Sequence, residues 1–493
     1  MQGRSIVTDA MSMILQLLQA GLGNLAAYLA AHVLLCLVPA FFIAGAMTAL
    51  IPKQTVTRFL GRGTPKFLSY PAAALAGSVL AVCSCTIVPL FAGIHRKGAG
   101  IGPAVTFLFF APAANILALV YTGTIIGPDL AVARLVLSLA FGIGIGLIMA
   151  LLFHSDDAAH DHATDVIFAA QAERGLSGTA LAFILFWVAL LLAGTLKLGF
   201  LTGAWVEARL PMGGAAELQA LLDRLVPYDA ARGEEGVSVQ GAMLVLLLLA
   251  VGYTSWLGFE RIQEGWNAWT GAALALTAAT LLVAALQVEA GTSGLAIGFT
   301  GKFFAVFAIL MALAGIAWSR IGEEELRDWL WESWRFVKQI FPLLVAGVFI
   351  VGILRVIIRP EWVEAIAGVN TVLANLVGVG FGVFMYFPTL VEVPVAKMFL
   401  DLGMHRGPLL AYLMADPELS LQSILILAAI IGRLKTAAYV LLVALFSTLA
   451  GLAYGAWVDG SSLWQIGAAG ALGLGVLSTA LWLANGRLAH RHA

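Results

Sequence analysis

Long apolar runs separated by short polar stretches dominate the chain, and a membrane-crossing helix needs about 20 consecutive, mostly apolar residues. Eleven runs meet that length: 24–50, 99–121, 129–153, 178–200, 240–258, 268–287, 294–318, 336–358, 407–431, 436–457 and 462–485. Two further apolar stretches, 67–94 and 370–395, are too long for one simple span and carry Pro and Gly near their middles. Each is predicted to be a re-entrant hairpin or a broken helix. The pattern therefore predicts an all-α polytopic membrane protein with about 11 transmembrane helices plus two interrupted segments. The run 24–50 far exceeds a signal-peptide core of about 7–15 residues and is expected to be a retained span.

Sliding the sequence along itself reveals an internal repeat. Pro89, Pro103 and Pro112 fall on Pro394, Pro408 and Pro417, and Gly77, Gly98 and Gly102 fall on Gly382, Gly403 and Gly407, all at one offset of 305 positions. The register continues without a gap through Ile125-Ile126-Gly127 on Ile430-Ile431-Gly432 and through Phe141, Gly146 and Leu147 on Phe446, Gly451 and Leu452. Only 16 residues are Pro, so three aligned prolines argue for duplication rather than for chance matching of apolar sequence. Seven crossings separate the two repeat starts, which predicts halves of opposite orientation, an inverted repeat. Basic residues favour cytoplasmic loops; Lys53, Arg58, Arg62 and Lys66 mark one, and Arg96 and Lys97 bring the first interrupted segment back to the side it left.

The expected organisation is an N-terminal segment 1–23, a first membrane repeat 24–153, a His/Asp-rich loop 154–177, a central four-helix insertion 178–335 with an external loop 201–239, a second repeat 336–458, and a terminal helix and tail 459–493. The charged loop holds His154, Asp156, Asp157, His160, Asp161 and His162, which suits a solvated linker and also resembles the acidic histidine loops of metal transporters. Residues 207–235 are expected to form a small helical cap. Trp329, Trp331 and Trp334, alternating with charges, suit a helix lying at the membrane interface.

Composition agrees with this reading. Hydrophobic residues make up 61% and charged residues 11%, against about 25% charged in soluble domains. Lys plus Arg number 27 and Asp plus Glu 28, so no basic stripe is available for nucleic acid. The three cysteines, Cys36, Cys83 and Cys85, all lie in apolar stretches, which excludes a disulfide framework.

Polar groups inside hydrocarbon are costly, so those beside helix breaks are the natural site candidates. The first half offers Cys83, Ser84, Cys85 and Asn115; the second offers Glu392, with Lys397 as a candidate partner, and Asp416, Glu418 and Ser420 around Pro417. In the repeat register Glu392 stands where Ile87 does, Asp416 where Ala111 does and Ser420 where Asn115 does, so one half supplies thiols and the other carboxylates. Glu392 is the candidate proton carrier. Cys-x-Cys at a helix break suits a soft, thiophilic solute, because thiolates prefer soft ions; close helix packing is the alternative role for the two thiols. For Asn115 and Ser420 the alternative is a hydrogen bond to backbone freed by the preceding proline.

Cys83-Ser84-Cys85, Val88-Pro89-Leu90, His95-Arg96-Lys97-Gly98, Ala111-Pro112 and Asn115, recurring as Glu392-Val393-Pro394 through Gly403 and Asp416-Pro417, resemble the ArsP-type predicted permeases. Some members of that family export trivalent organoarsenicals. The resemblance covers 27–153 and 336–458, and Thr86 stands where the family commonly has Gly. It implies a permease, not an enzyme, that exports a small thiophilic or metalloid solute by alternating access from a multi-pass position in the inner (plasma) membrane. A divalent metal-cation transporter and, from another class, a membrane thiol oxidoreductase are the alternatives. The absence of GxxxxGK[ST] argues against ATP hydrolysis by this chain. No cofactor is expected, and the expected partners are the solute and the lipid bilayer, with homo-oligomerisation left open.

Overall fold

The computed structural model describes residues 2–31, 33–51, 53–79, 84–114, 116–159, 177–196, 198–211, 213–226, 228, 236–291, 294–357, 365–385, 392–462 and 464–468. Among them, eight helices are long and apolar enough to cross a membrane, and four shorter apolar helices accompany them. The chain is thus an all-α polytopic membrane protein with one small sheet outside the helices.

The first half runs through α1 (Gln2–Ala31), a π-helical turn (Val33–Leu37), α2 (Val38–Leu50), α3 (Lys53–Leu60), α4 (Lys66–Val79), α5 (Ser84–Arg96), α6 (Ile101–Ala113), α7 (Ile116–Ile125) and α8 (Pro128–Leu152). The central part holds α9 (Gly178–Thr195), β1 (Ala204–Leu210), α10 (Ala215–Leu225), α11 (Val239–Phe259), α12 (Ala268–Ala284), β2 (Gln287–Gly291), β3 (Gly294–Thr300) and α13 (Gly301–Arg320). The second half holds α14 (Glu323–Ile357), α15 (Val372–Met385), α16 (Glu392–Asp401), α17 (Arg406–Ala415), α18 (Leu421–Ile431) and α19 (Arg433–Val458).

Helix boundaries recur at the 305-residue offset: α4 to α8 and α15 to α19 are matching series in the same order, and their contacts recur with them. Gly98 and Gly403 both take positive φ, 87° and 100°, at the turn after α5 and after α16, a conformation glycine adopts without steric cost. A Cβ on Gly77 would meet the Ala111 backbone nitrogen at 3.1 Å, and one on Gly382 would meet that of Asp416 at 2.8 Å, so α4 rests on α6 as α15 rests on α17. Phe141 and Phe446, equivalent in the two halves, touch each other with ring centroids 5.0 Å apart, where α8 meets α19.

Several elements depart from the sequence reading. The expected span 24–50 is split by the π-helical turn, and α1 begins at Gln2, with Met11–Ala30 as its membrane-length part. The runs 99–121 and 407–431 are each divided, into α6 and α7 and into α17 and α18. The run 294–318 starts as strand β3, which pairs antiparallel with β1 and β2 in the order β1-β3-β2. The expected helical cap is therefore part strand and part helix. Gly291 and Gly294 at the ends of β2 and β3 bracket a hairpin that hydropathy alone does not reveal. The tryptophan segment is the first half of the 35-residue α14 and not a separate interfacial helix. Trp329 and Trp334 are buried, the first donating its indole N–H to the Phe42 carbonyl at 3.0 Å and the second to Glu260 at 2.7 Å.

The start of the His/Asp loop is also structural. Asp157 is buried and accepts from the Ile101 backbone N–H at 2.9 Å, capping α6, while His154 meets Arg62 at 2.7 Å and Asp156 pairs with Lys435 at 3.4 Å. His160, Asp161 and His162 lie outside the described residues, as does most of 462–485.

Candidate functional site

Pro112 and Pro417 lie one repeat apart, and each sits where a buried helix stops: α6 ends at Ala113 and α17 at Ala415. The last carbonyls of a helix lack partners within it. One of them, Ala113 O, accepts a hydrogen bond from Arg134 Nε at 2.8 Å. The same guanidinium donates from Nη1 to Thr122 Oγ1 at 3.2 Å and from Nη2 to Glu392 Oε1 at 2.6 Å. Both members of the Arg134–Glu392 pair have 0% exposed side chains. A single planar fork thus joins α6, α7 and α8 of the first half to α16 of the second. Arg suits this position better than Lys because its donors point in fixed, separate directions.

The second half builds the corresponding link with different chemistry. Tyr439 is the repeat equivalent of Arg134, and Glu418 that of Ala113. Tyr439 donates its hydroxyl to Glu418 Oε2 at 2.9 Å, and both side chains are buried. The same two positions are therefore hydrogen-bonded in each half, once by a guanidinium to a backbone carbonyl and once by a phenol to a carboxylate. Arg134 and Glu392 both act electrostatically on Glu418. Asp416, fully buried, ends α17. The Gln422 amide is buried without a hydrogen-bond partner among the described residues.

The structure brings Glu392 and Glu418 to one buried centre around Arg134 and places Asp416 on the same helix break. Ser420 is the N-cap of α18, accepting from the Ser423 N–H at 3.3 Å and donating to its hydroxyl at 2.7 Å. Cys83 and Asn115 lie outside the described residues; Ser84 and Cys85 open α5, and only their backbone is described. The expectation that Lys397 partners Glu392 is corrected: Lys397 pairs with Asp401 one turn along α16, and Glu392 takes Arg134. Arg134, Thr122 and Tyr439 are the residues the sequence reading missed. The available signal was a lone Arg inside the apolar run 129–153, since an ionisable residue within a span is by default functional or paired.

At the opposite end of α5 the basic turn is packed rather than solvated. The Arg96 guanidinium lies 4.2 Å from the Phe336 ring and 3.7 Å from Glu332, and Lys97 is fully buried, which pushes its ammonium down to about 8. No cluster of three or more His, Cys, Asp or Glu arranged for a metal ion occurs among the described residues. A separate apolar groove of about 520 Å³, lined by residues of α2, α11, α12 and α14 that include Phe41, Trp256 and Phe341, contains none of the predicted site residues.

Apolar helices of membrane-spanning length, enclosing an ion-paired polar centre between two matching helix-broken halves, define a polytopic membrane protein of the transporter class. Residues 19–456 match the family described as Predicted permease, ArsP type, and the chain belongs to that family. It is 31% identical over 445 residues to UPF0718 protein MJ0584 of Methanocaldococcus jannaschii, a match spanning 90% of this chain and 97% of the relative. No solved structure matches it.

Proposed function

We propose that this permease exports a small thiophilic or metalloid-type solute, such as a trivalent organoarsenical, by alternating access of two inverted halves around the Arg134 centre. The observation that carries the reading is the Arg134–Glu392 pair, which spans the two halves at their helix breaks with no exposure to solvent. A transporter that rocks one half against the other needs its polar contacts concentrated at such a junction. The thiols of Cys83 and Cys85, two residues apart in the sequence, supply the soft ligands, and the family resemblance supports the choice of solute. A divalent cation is disfavoured because a fixed guanidinium already occupies the carboxylate side of the centre. Glu392 enters the cycle through its partner Arg134.

The test uses inside-out vesicles holding the purified protein and a trivalent organoarsenical. Accumulation is expected for the native protein and its loss for the Cys83→Ser/Cys85→Ser variant at equal protein amount. Undiminished accumulation by that variant would leave the thiols only a packing role and remove the basis for a thiophilic solute.

A further inference from the structure

Among the described residues the charges at the centre do not balance. Two carboxylates, Glu392 and Glu418, are buried there at 0% and 4% exposure, and Arg134 is the one cation that reaches them among the described residues. Arg134 is committed to Glu392 by a 2.6 Å contact. The cations on the surrounding elements are engaged elsewhere: Arg406 with Asp129, Lys397 with Asp401, Arg96 with Glu332 and Lys435 with Asp156. His95 stacks on Phe91, and Arg433 is exposed at the start of α19. Helices α6, α7, α15 and α18 and residues 339–354 of α14 contribute no acidic or basic side chain.

Glu418 Oε2 accepts from the Tyr439 hydroxyl and the Ala113 backbone N–H acts on the same carboxylate, while Oε1 has no hydrogen-bond partner of ordinary geometry among the described residues. A buried carboxylate without a counter-charge is strongly unfavourable, and a bound proton removes that penalty. The repeat shows that the fold does not need an acid here, because Ala113 holds the equivalent position and offers only its backbone.

We propose that Glu418 is the proton-binding residue of the permease, with Tyr439 as its positioning residue and Arg134 as the group whose partner its charge controls. The proposal rests on the permease reading and deepens it. With the proton bound, Glu418 is neutral and Arg134 stays with Glu392. When the proton leaves to water, the new carboxylate competes with Glu392 for Arg134 and so pulls on α8, the helix that meets its repeat equivalent at Phe141 and Phe446. One proton bound or released is thereby turned into a force on the junction between the halves.

Infrared difference spectroscopy of purified protein in lipid, between mildly acidic and alkaline media and without solute, reads this directly. The carbonyl-stretch band of a protonated carboxylic acid should be present in the native protein, absent in Glu418→Gln and retained in Asp416→Asn. In Tyr439→Phe the band should remain but move in frequency, because the hydrogen bond to Oε2 is lost, and this variant decides the matter if Glu418→Gln does not fold. A band that survives Glu418→Gln, that disappears in Asp416→Asn, or that is missing from the native protein would overturn the assignment, as would an unmoved band in Tyr439→Phe. Solute flux is not part of the readout, so a normal band in a protein that moves no organoarsenical would fail the choice of solute and leave the proton site standing.

Discussion

Arg134→Met removes the cation from the junction while keeping most of the apolar stem. Three groups lose their donor: Glu392 Oε1, the Ala113 carbonyl and Thr122 Oγ1. Breaking a buried ion pair from one side costs about 3–5 kcal/mol, because the remaining charge is left without compensation. An orphaned helix-end carbonyl adds about 1–3 kcal/mol. The Thr122 hydroxyl still donates to Ala118 O at 2.7 Å and adds little. The single variant should therefore lose roughly 5 kcal/mol. In Arg134→Met/Glu392→Met the unpaired charge is gone and only the carbonyl remains, so the double variant should lose about 2 kcal/mol and be more stable than the single one. The assay is equilibrium unfolding in mixed micelles titrated with a denaturing detergent, followed by tryptophan emission. A loss under about 1 kcal/mol for Arg134→Met, or a double variant no more stable than the single, would refute the claim that this pair holds the halves together.

Other expectations use the same preparations. Gly382→Ala should cost more than Gly77→Ala, because its Cβ would sit 2.8 Å rather than 3.1 Å from the facing backbone nitrogen; overpacking of this kind costs about 1–3 kcal/mol, and equal losses would count against the distances. Lys97 is held at about 8 by burial, below its ordinary 10.5, so the unfolded chain binds more protons between those limits and stability should rise with pH across that window. Lys97→Met should flatten that rise, and an unchanged slope would dismiss Lys97 as its source. Single cysteines at Thr64 and Gly368, in a background lacking the native three, should label from opposite faces of the membrane; labelling from one face would end the inverted arrangement.

Much of the helical plan was legible because it depends on hydropathy over whole spans: α8, α9, α11 and α19 lie close to runs read from the sequence. The breaks after Ala113 and Ala415 were read through as the single runs 99–121 and 407–431, because Pro112 and Pro417 with their polar neighbours hint at an interruption without fixing it. α1 escaped because its polar residues leave it the least apolar of the eight membrane-length helices. The first half of α14 escaped because charge along a helix face does not reveal whether the helix continues. At the site, Glu392 and Glu418 stood out as carboxylates beside prolines, and both reach the centre. Arg134 did not stand out, because its partner lies 258 residues away and nothing local in 129–153 points to it. Lys397, only five residues from Glu392, looked the better partner, but α16 points it at Asp401 instead.

That separation of 258 residues also has a meaning in time. Chains grow at about 5–20 residues per second, so roughly 10–50 s pass between synthesis of Arg134 and synthesis of Glu392. During that interval α8 must enter the bilayer with its guanidinium unmatched; Arg134 lies in the second turn of the helix, so the insertion cost stays below the figure of about 2.5–3.5 kcal/mol for an Arg at a helix centre. α8 is the most apolar of the eight membrane-length helices, which offsets the charge and lets the segment insert before its partner exists. The surplus hydrophobicity of α8 thus serves the nascent chain, whereas the ion pair serves the finished protein.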